Sequence, residues 1–168
     1  MQITRLTLPN FPALSDQDRS SWLRIDEGQD NSTIDMLVSS ATDYVEGITG
    51  LCLGSASYSI DLDWNECRMR VLPLAPIQSI TSVEYWDETG TTLPFTDWTL
   101  AANRFRYDFP TRLTITLVAG YSDPASVPIS LRHAIAILVS AGYNGREELS
   151  DQTIKTVERL CQRHKRYV

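Results

Sequence analysis

Hydrophobic residues follow two different spacings along the chain, and the change between them separates helical from β-rich segments. Near the N-terminus, Ser15 and the acidic residues after it are typical of a helix start, which predicts a short helix to about Arg24. A longer helix is predicted with Asp30 or Asn31 as its cap and Gly50 as its stop. Its apolar face, with members three or four positions apart, is Ile34, Leu37, Val38, Ala41, Val45 and Ile48.

From about residue 55 the spacing changes to two, which is typical of half-buried β-strands. The first strand covers residues 58–64. A hairpin turn is predicted at residues 87–90, where Gly90 supplies the positive φ that such a turn needs. The remaining strands are predicted at residues 68–74, 80–86, 91–95 and 113–121.

Two further helices are predicted after the β-rich segment. Pro128 fits the first turn of a helix over residues 128–143. Residues 134–139 of this helix are apolar on all sides, so we expect it to be the buried, central helix. The last helix covers about residues 150–165, and its apolar face is Ile154, Val157, Leu160 and Cys161.

These elements predict an α+β fold in which a small bundle of about four helices holds an inserted antiparallel β-sheet. At 168 residues the chain is expected to form a single domain over residues 1–168. The predicted segments are helical over 14–50, β-rich over 53–122 and helical over 128–149, with a C-terminal helix and basic tail over 150–168.

Charge is unevenly distributed. The net charge is −6, yet residues 151–168 hold five basic and two acidic side chains, which gives that end +3 and leaves −9 on the remainder. The five basic residues are Lys155, Arg159, Arg163, Lys165 and Arg166. A basic end on an acidic body favours docking of that end on an acidic surface. Alternatively, the cations complement the dipole of the last helix, which explains one or two of them, or form a solvated face.

Residues suited to catalysis or metal binding are few. His133 has no carboxylate one helical turn away to orient it, and His164 is predicted to be a solvated side chain of the tail. Asp61 and Asp63 resemble the start of a calcium loop, but Glu66 stands where that loop needs glycine. The sequence therefore predicts no metal, no cofactor and no enzymatic activity. The enzyme alternative would rest on these three acids without an accompanying base or nucleophile.

Cysteine usage and hydropathy bear on the compartment. Cys52, Cys67 and Cys161 are odd in number and widely spaced, which favours thiols in a reducing compartment over disulfides. No apolar run is long enough to cross a membrane, and residues 1–10 do not resemble a signal peptide. We therefore expect synthesis in the cytoplasm and no membrane partner.

Three passages occur in an order that is typical of a known family. The first is WLRID at residues 22–26, followed by an acidic gap and a helix that ends in TG. The second is LPLAPIQSITSV at residues 72–83, ahead of the hairpin. The third is AGY at residues 119–121 with VPISLRHA at residues 127–134. Together they resemble the head–tail connector (adaptor, or head-completion) proteins of tailed bacteriophages, over about residues 14–149.

The resemblance implies a structural virion protein made in the bacterial host cytoplasm and located at the head–tail junction. Members of the family form a ring, usually a dodecamer, beneath the portal; it extends the DNA channel and links the capsid to the tail. The implied partners are other copies of the chain, the portal protein, the next connector (stopper) or tail protein, and genome DNA that passes through the lumen without sequence-specific binding. The terminal segment commonly meets the portal, which assigns portal docking to Lys155, Arg159, Arg163, Lys165, Arg166 and Tyr167.

Two other functions fit the sequence. A tail-completion or tail-terminator protein also forms a ring, but it binds tail-tube protein and not portal. A DNA-binding module would use the basic tail as its grip and would bind DNA with steep salt dependence, although the acidic body opposes this.

Overall fold

A computed structural model of the protein describes residues 1–24, 30–63, 69–101, 103–107, 112–145 and 150–166. These residues form four α-helices and eight β-strands, which confirms the predicted α+β class and the number of helices. The chain divides into two compact units. A helical unit comprises Phe11–Gly54 and Tyr121–Tyr167, and a β unit comprises Met1–Asn10 and Ser55–Gly120.

The helical unit is built around its third helix. Its helices are α1 (Asp16–Leu23), α2 (Asn31–Thr49), α3 (Ile129–Gly145) and α4 (Asp151–Cys161). Each of the other three packs against α3, and the buried face predicted for α2 lies within this core. The buried residues of α3 are Leu131, Ala134, Ile135, Ala136, Leu138 and Val139. The prediction that this helix is the buried, central one is therefore confirmed.

The predicted serine cap of α1 is confirmed, and α4 has a similar cap. Ser15 Oγ accepts a hydrogen bond from the Asp18 N–H at 3.1 Å, and Ser150 Oγ accepts one from the Thr153 N–H at 3.2 Å. Asp30 is the N-cap of α2, as predicted, but its φ is 52° and its side chain makes no capping bond. Its carboxylate instead accepts a hydrogen bond from the Tyr143 hydroxyl at 2.9 Å. The last helix is also shorter than predicted.

The β unit contains two antiparallel sheets. The strands are β1 (Gln2–Arg5), β2 (Ala56–Asp63), β3 (Met69–Val71), β4 (Ile77–Trp86), β5 (Thr92–Pro94), β6 (Trp98–Ala101), β7 (Arg104–Tyr107) and β8 (Arg112–Ala119). The larger sheet has the order β1-β2-β8-β4-β5, and the smaller has the order β3-β7-β6. Buried residues pair across the centre of the larger sheet: Tyr58 with Leu117, Ile60 with Ile115, and Leu62 with Leu113.

The second sheet and three strands were not predicted. Every residue of β1 is exposed, so no hydrophobic alternation marks it. In β7, buried Phe105 and Tyr107 alternate with exposed Arg104 and Arg106, but the strand has only four residues. These short strands are recognised only from their pairing in the structure, where β1 pairs with β2 and β7 pairs with β3.

Candidate functional site

Three of the predicted docking residues form a cationic ridge on the surface of the helical unit. Lys155 and Arg159 lie on α4, and Arg163 lies in the 3₁₀ turn Gln162–His164 that continues it. All three side chains are exposed, and within the described parts of the chain none has an ion-pair partner. Because they are four positions apart, they follow one side of the helix.

The other two described cations have a different setting. The backbone N–H of Arg166 donates to the carbonyl oxygen of Thr49 at 2.8 Å, which holds the end of the chain at the C-terminus of α2. Lys165 lines a hollow of about 530 Å³ that also includes Gly47 and Ile48 near that terminus. A helix C-terminus carries partial negative charge, so these two cations lie beside the dipole of α2, whereas the sequence had suggested that the cations complement the dipole of the last helix. Tyr167, the sixth predicted docking residue, lies outside the described residues.

Arg159 connects two hollows of the surface. It lines the hollow of Lys165 together with Lys155, and it lines a second one of about 530 Å³ together with Arg163 and Ser130. The second hollow lies where His164 Nε2 and Ser130 Oγ are 2.8 Å apart. The prediction that His164 is a solvated tail residue is therefore wrong: it is half-buried and ties the final turn to the start of α3.

An apolar groove of about 550 Å³ lies between α1, α3 and α4. It is lined by Leu14, Trp22, Ile129, His133, Ala136 and Leu160, with Asp18, Ser130 and Arg132 as its polar members. The side chains of Trp22 and Ile129 remain 46% and 76% exposed. His133 meets the Trp22 ring edge to face, with ring centroids 5.2 Å apart. This histidine thus forms part of an apolar surface.

Positive charge borders the groove. The Arg132 guanidinium lies 3.8 Å from the Asp18 carboxylate, which is a long ion pair, and the Arg132 side chain is 27% exposed. The buried Nε of Arg132 has no hydrogen-bond partner among the described residues. Ser130 and Leu160 line both the groove and the hollow of Arg159 and Arg163, so the groove and the cationic ridge adjoin.

The sequence did not indicate this groove. The sequence pattern for this groove is weak. Ile129, His133 and Ala136 form a second face of α3, but the run of apolar residues at the centre of the helix makes that face hard to distinguish in the sequence. On α1, Trp22 is one of only two large apolar residues. Recognising the groove requires knowing that α1 packs on α3. The hydrophobic pattern of each helix, taken alone, does not show this contact.

The described residues suggest structural roles for the groups considered for chemistry. The Trp86 indole N–H donates to Thr114 Oγ1 at 3.0 Å, and Thr114 Oγ1 donates to the Asp61 carboxylate at 2.7 Å. Asp61 therefore belongs to a hydrogen-bonded network on the sheet, whereas the Asp63 side chain and Glu66 lie outside the described residues. Within the described ranges no group of three or more His, Cys, Asp or Glu residues is arranged to hold a metal ion.

The cysteines and the hydropathy of the helices were the remaining features considered in the sequence. Cys52 and Cys161 are buried, and desolvation together with the nearby Glu158 carboxylate raises the pKa of the Cys161 thiol. Cys67 lies outside the described residues. Among the helices that the structure describes, none has the length and apolar character needed to cross a bilayer.

Comparison with known proteins identifies solved structures that share this fold. Neither a protein-family model nor a curated protein matches the sequence. Three chains from solved structures cover 100% of this chain and 97% of their own length. One is from the virion of a native gene transfer agent (GTA) particle, with a TM-score of 0.85 and 22% identity. The others are from the neck of an empty GTA particle computed with C6 symmetry (TM-score 0.83, 21% identity) and of a native one computed with C12 symmetry (TM-score 0.80, 21% identity). The chain therefore shares its fold, over its whole length, with chains of these particles.

Proposed function

We propose that this chain is a structural virion protein of the neck, a head–tail connector adaptor. Copies of the chain form a ring beneath the portal, extend the DNA channel and link the capsid to the tail. The observation that carries the proposal is the full-length similarity in fold to chains of GTA particles, two of them described as necks. The motif order in residues 14–149 resembles that of head–tail connector proteins, which independently supports the same role.

Ring formation is supported by the symmetries used for the two necks. A chain that occupies a C6 or C12 environment contacts its neighbours head to tail, through two different surfaces, and a ring closes when the rotation closes. The net negative charge of the chain suits a channel through which DNA slides without sticking.

The cationic ridge is the proposed contact with the portal. Lys155, Arg159 and Arg163 are exposed and unpaired within the described residues, so a partner need not displace an existing ion pair. Exposed charges of this kind guide association and fix orientation more than they raise affinity. The proposed partner is therefore an acidic surface of the portal, and Lys165, Arg166 and Tyr167 extend the same docking segment.

The first test is the native mass of the protein, alone and after mixing with assembled portal from the same genome. The proposal expects a ring-sized complex, either free or only on the portal. A protein that remains monomeric and ignores the portal would contradict it. If the same protein bound tail-tube protein instead, a tail-completion or tail-terminator role would replace the adaptor role.

The second test is the charge-reversed variant Arg159→Glu/Arg163→Glu. Portal binding should fall at least about tenfold, because two favourable charge contacts become repulsive, while circular dichroism and the unfolding midpoint should stay close to those of the parent. The matched control is Arg104→Glu/Arg106→Glu, which reverses two exposed arginines on β7 of the β unit. Normal portal docking by Arg159→Glu/Arg163→Glu, or equal loss in both variants, would refute a specific role for the ridge.

A further inference from the structure

The helical unit exposes two separate apolar patches. Among its described residues, the large hydrophobic side chains that remain exposed are Trp22, Met36, Tyr44 and Ile129. Trp22 and Ile129 border the apolar groove, whereas Met36 and Tyr44 belong to α2, from which no described residue lines the groove. Exposed aromatic and methionine side chains are enriched in protein interfaces, so both patches are candidate contact surfaces.

The patch on α2 occupies the outer face of that helix. Its exposed members recur three or four positions apart: Met36, Ser40, Asp43, Tyr44 and Gly47. The opposite face, which includes Val38 and Val45, is buried in the helical unit. Met36 is 65% exposed, and it lies two turns, or about 12 Å, from Tyr44, which is 38% exposed. We call these five residues the outer face of α2.

The two patches differ in charge. Asp43 is the one charged residue among the five of the outer face of α2, and Gly47 at the end of this face lines the hollow of Lys155, Arg159 and Lys165. The groove has Arg132 and its ion-pair partner Asp18 at its edge, and its net positive border comes from the adjoining Arg159 and Arg163 of the ridge. The acidic middle of the outer face of α2 thus matches the basic border of the groove, which favours contact between them over contact of either patch with itself.

We propose that the apolar groove of one copy receives the outer face of α2 of the next copy. This inference rests on the proposed ring, for which it names the two contact surfaces. Met36 and Tyr44 bury against Trp22 and Ile129, and Asp43 faces the basic edge of the groove. Because the two surfaces are different, the contact is heterologous and repeats around a ring. A two-fold contact between two grooves would bring Arg132 near its own copy and leave the outer face of α2 uncovered.

Thiol cross-linking in assembled particles tests this contact. The variant Met36→Cys/Ile129→Cys carries one new exposed thiol on each surface, and particles containing it are treated with a short bismaleimide. The proposal expects a ladder of cross-linked chains that extends to the copy number of the ring. The single variants Met36→Cys and Ile129→Cys and the unmodified chain are the matched controls, and they should give no ladder. The unmodified chain also reports any reaction at the native cysteines.

The outcomes separate this inference from the ring itself. Particles with the normal copy number of the chain but no ladder would overturn the contact and leave the ring intact. Dimers from Ile129→Cys alone would indicate a two-fold contact between grooves, and cross-links from this residue to another virion protein would assign the groove to that protein; either result overturns the proposal. Particles made with the unmodified chain that nevertheless lack it would overturn both the proposed function and the contact.

Discussion

At the residue scale, the carboxylate of Asp87 organises the hairpin between β4 and β5. One oxygen accepts hydrogen bonds from the Thr89 N–H at 2.9 Å, the Thr89 hydroxyl at 2.7 Å and the Thr91 N–H at 2.8 Å. The Thr89 hydroxyl, followed by the Thr91 N–H, lowers the pKa of Asp87 below its usual 3.8. The charged form is therefore preferred in the folded protein.

This lowered pKa predicts a pH-dependent contribution of Asp87 to stability. The contribution is complete above the unfolded pKa of 3.8 and is lost as the pH falls through the lower folded value. Asp87→Asn keeps an acceptor oxygen but cannot change its charge. The difference in denaturation midpoint between the parent and this variant should thus be constant above about pH 5 and shrink below 3.8. Glu88→Gln in the same exposed turn is the control, and an equal pH dependence in both variants would contradict the assignment.

Residues whose partners are close in sequence were the ones the sequence predicted well. Ser15 bonds three positions away, and Gly90 has the positive φ of 80° that its turn requires. The partners of Asp30 and His164 are 113 and 34 positions away, at Tyr143 and Ser130. No local pattern encodes such contacts, because they depend on how the helices pack.

At the scale of elements, two helical glycines differ in their surroundings. A Cβ at Gly47 in α2 would meet no atom within 4 Å. A Cβ at Gly142 in α3 would lie 2.8 Å from Cδ2 of Leu37 on α2. Gly142 therefore marks a close approach between the Leu37 side chain and α3, whereas Gly47 faces open space.

The two glycines predict different changes in stability for the same substitution to alanine. Gly47→Ala should raise the free energy of unfolding by about 1 kcal/mol, because alanine is the better helix former. Gly142→Ala should stabilise less than Gly47→Ala, because the Leu37 methyl group must move away from the new Cβ and this repacking offsets part or all of the same gain. Urea denaturation of both variants measures the difference, with Leu37→Ala/Gly142→Ala as the variant that removes the crowding. Equal stabilisation by the two single substitutions would refute the close packing.

Elements were predictable in proportion to the length of their hydrophobic pattern. The nineteen residues of α2 and the eight of β8 carry several periods each, and both elements were found from the sequence. The four-residue strands β1 and β7 carry too few periods to be recognised. The ridge of Lys155, Arg159 and Arg163 was visible as spaced charges, whereas the apolar groove exists only where three helices meet.

At the scale of the whole molecule, the two proposed contacts of the chain depend on different forces. Docking of the cationic ridge on an acidic portal surface is electrostatic and lies at exposed side chains. The contact between copies buries Met36, Tyr44, Trp22 and Ile129, so it depends mainly on removing apolar surface from water. Salt weakens the first force strongly and the second hardly at all.

A rise in sodium chloride should therefore release the ring from the portal before it separates the copies. Going from about 0.1 M to about 1 M shortens the Debye length from about 10 Å to about 3 Å, which screens Lys155, Arg159 and Arg163 from their partners. Portal binding should fall at least about tenfold, while bismaleimide added at the higher salt concentration should still give the ladder of Met36→Cys/Ile129→Cys. In the control, the residual binding of Arg159→Glu/Arg163→Glu should not weaken further with salt. Loss of the ladder at a salt concentration that preserves portal binding would reverse the assignment of forces, because the contact between copies would then be the electrostatic one.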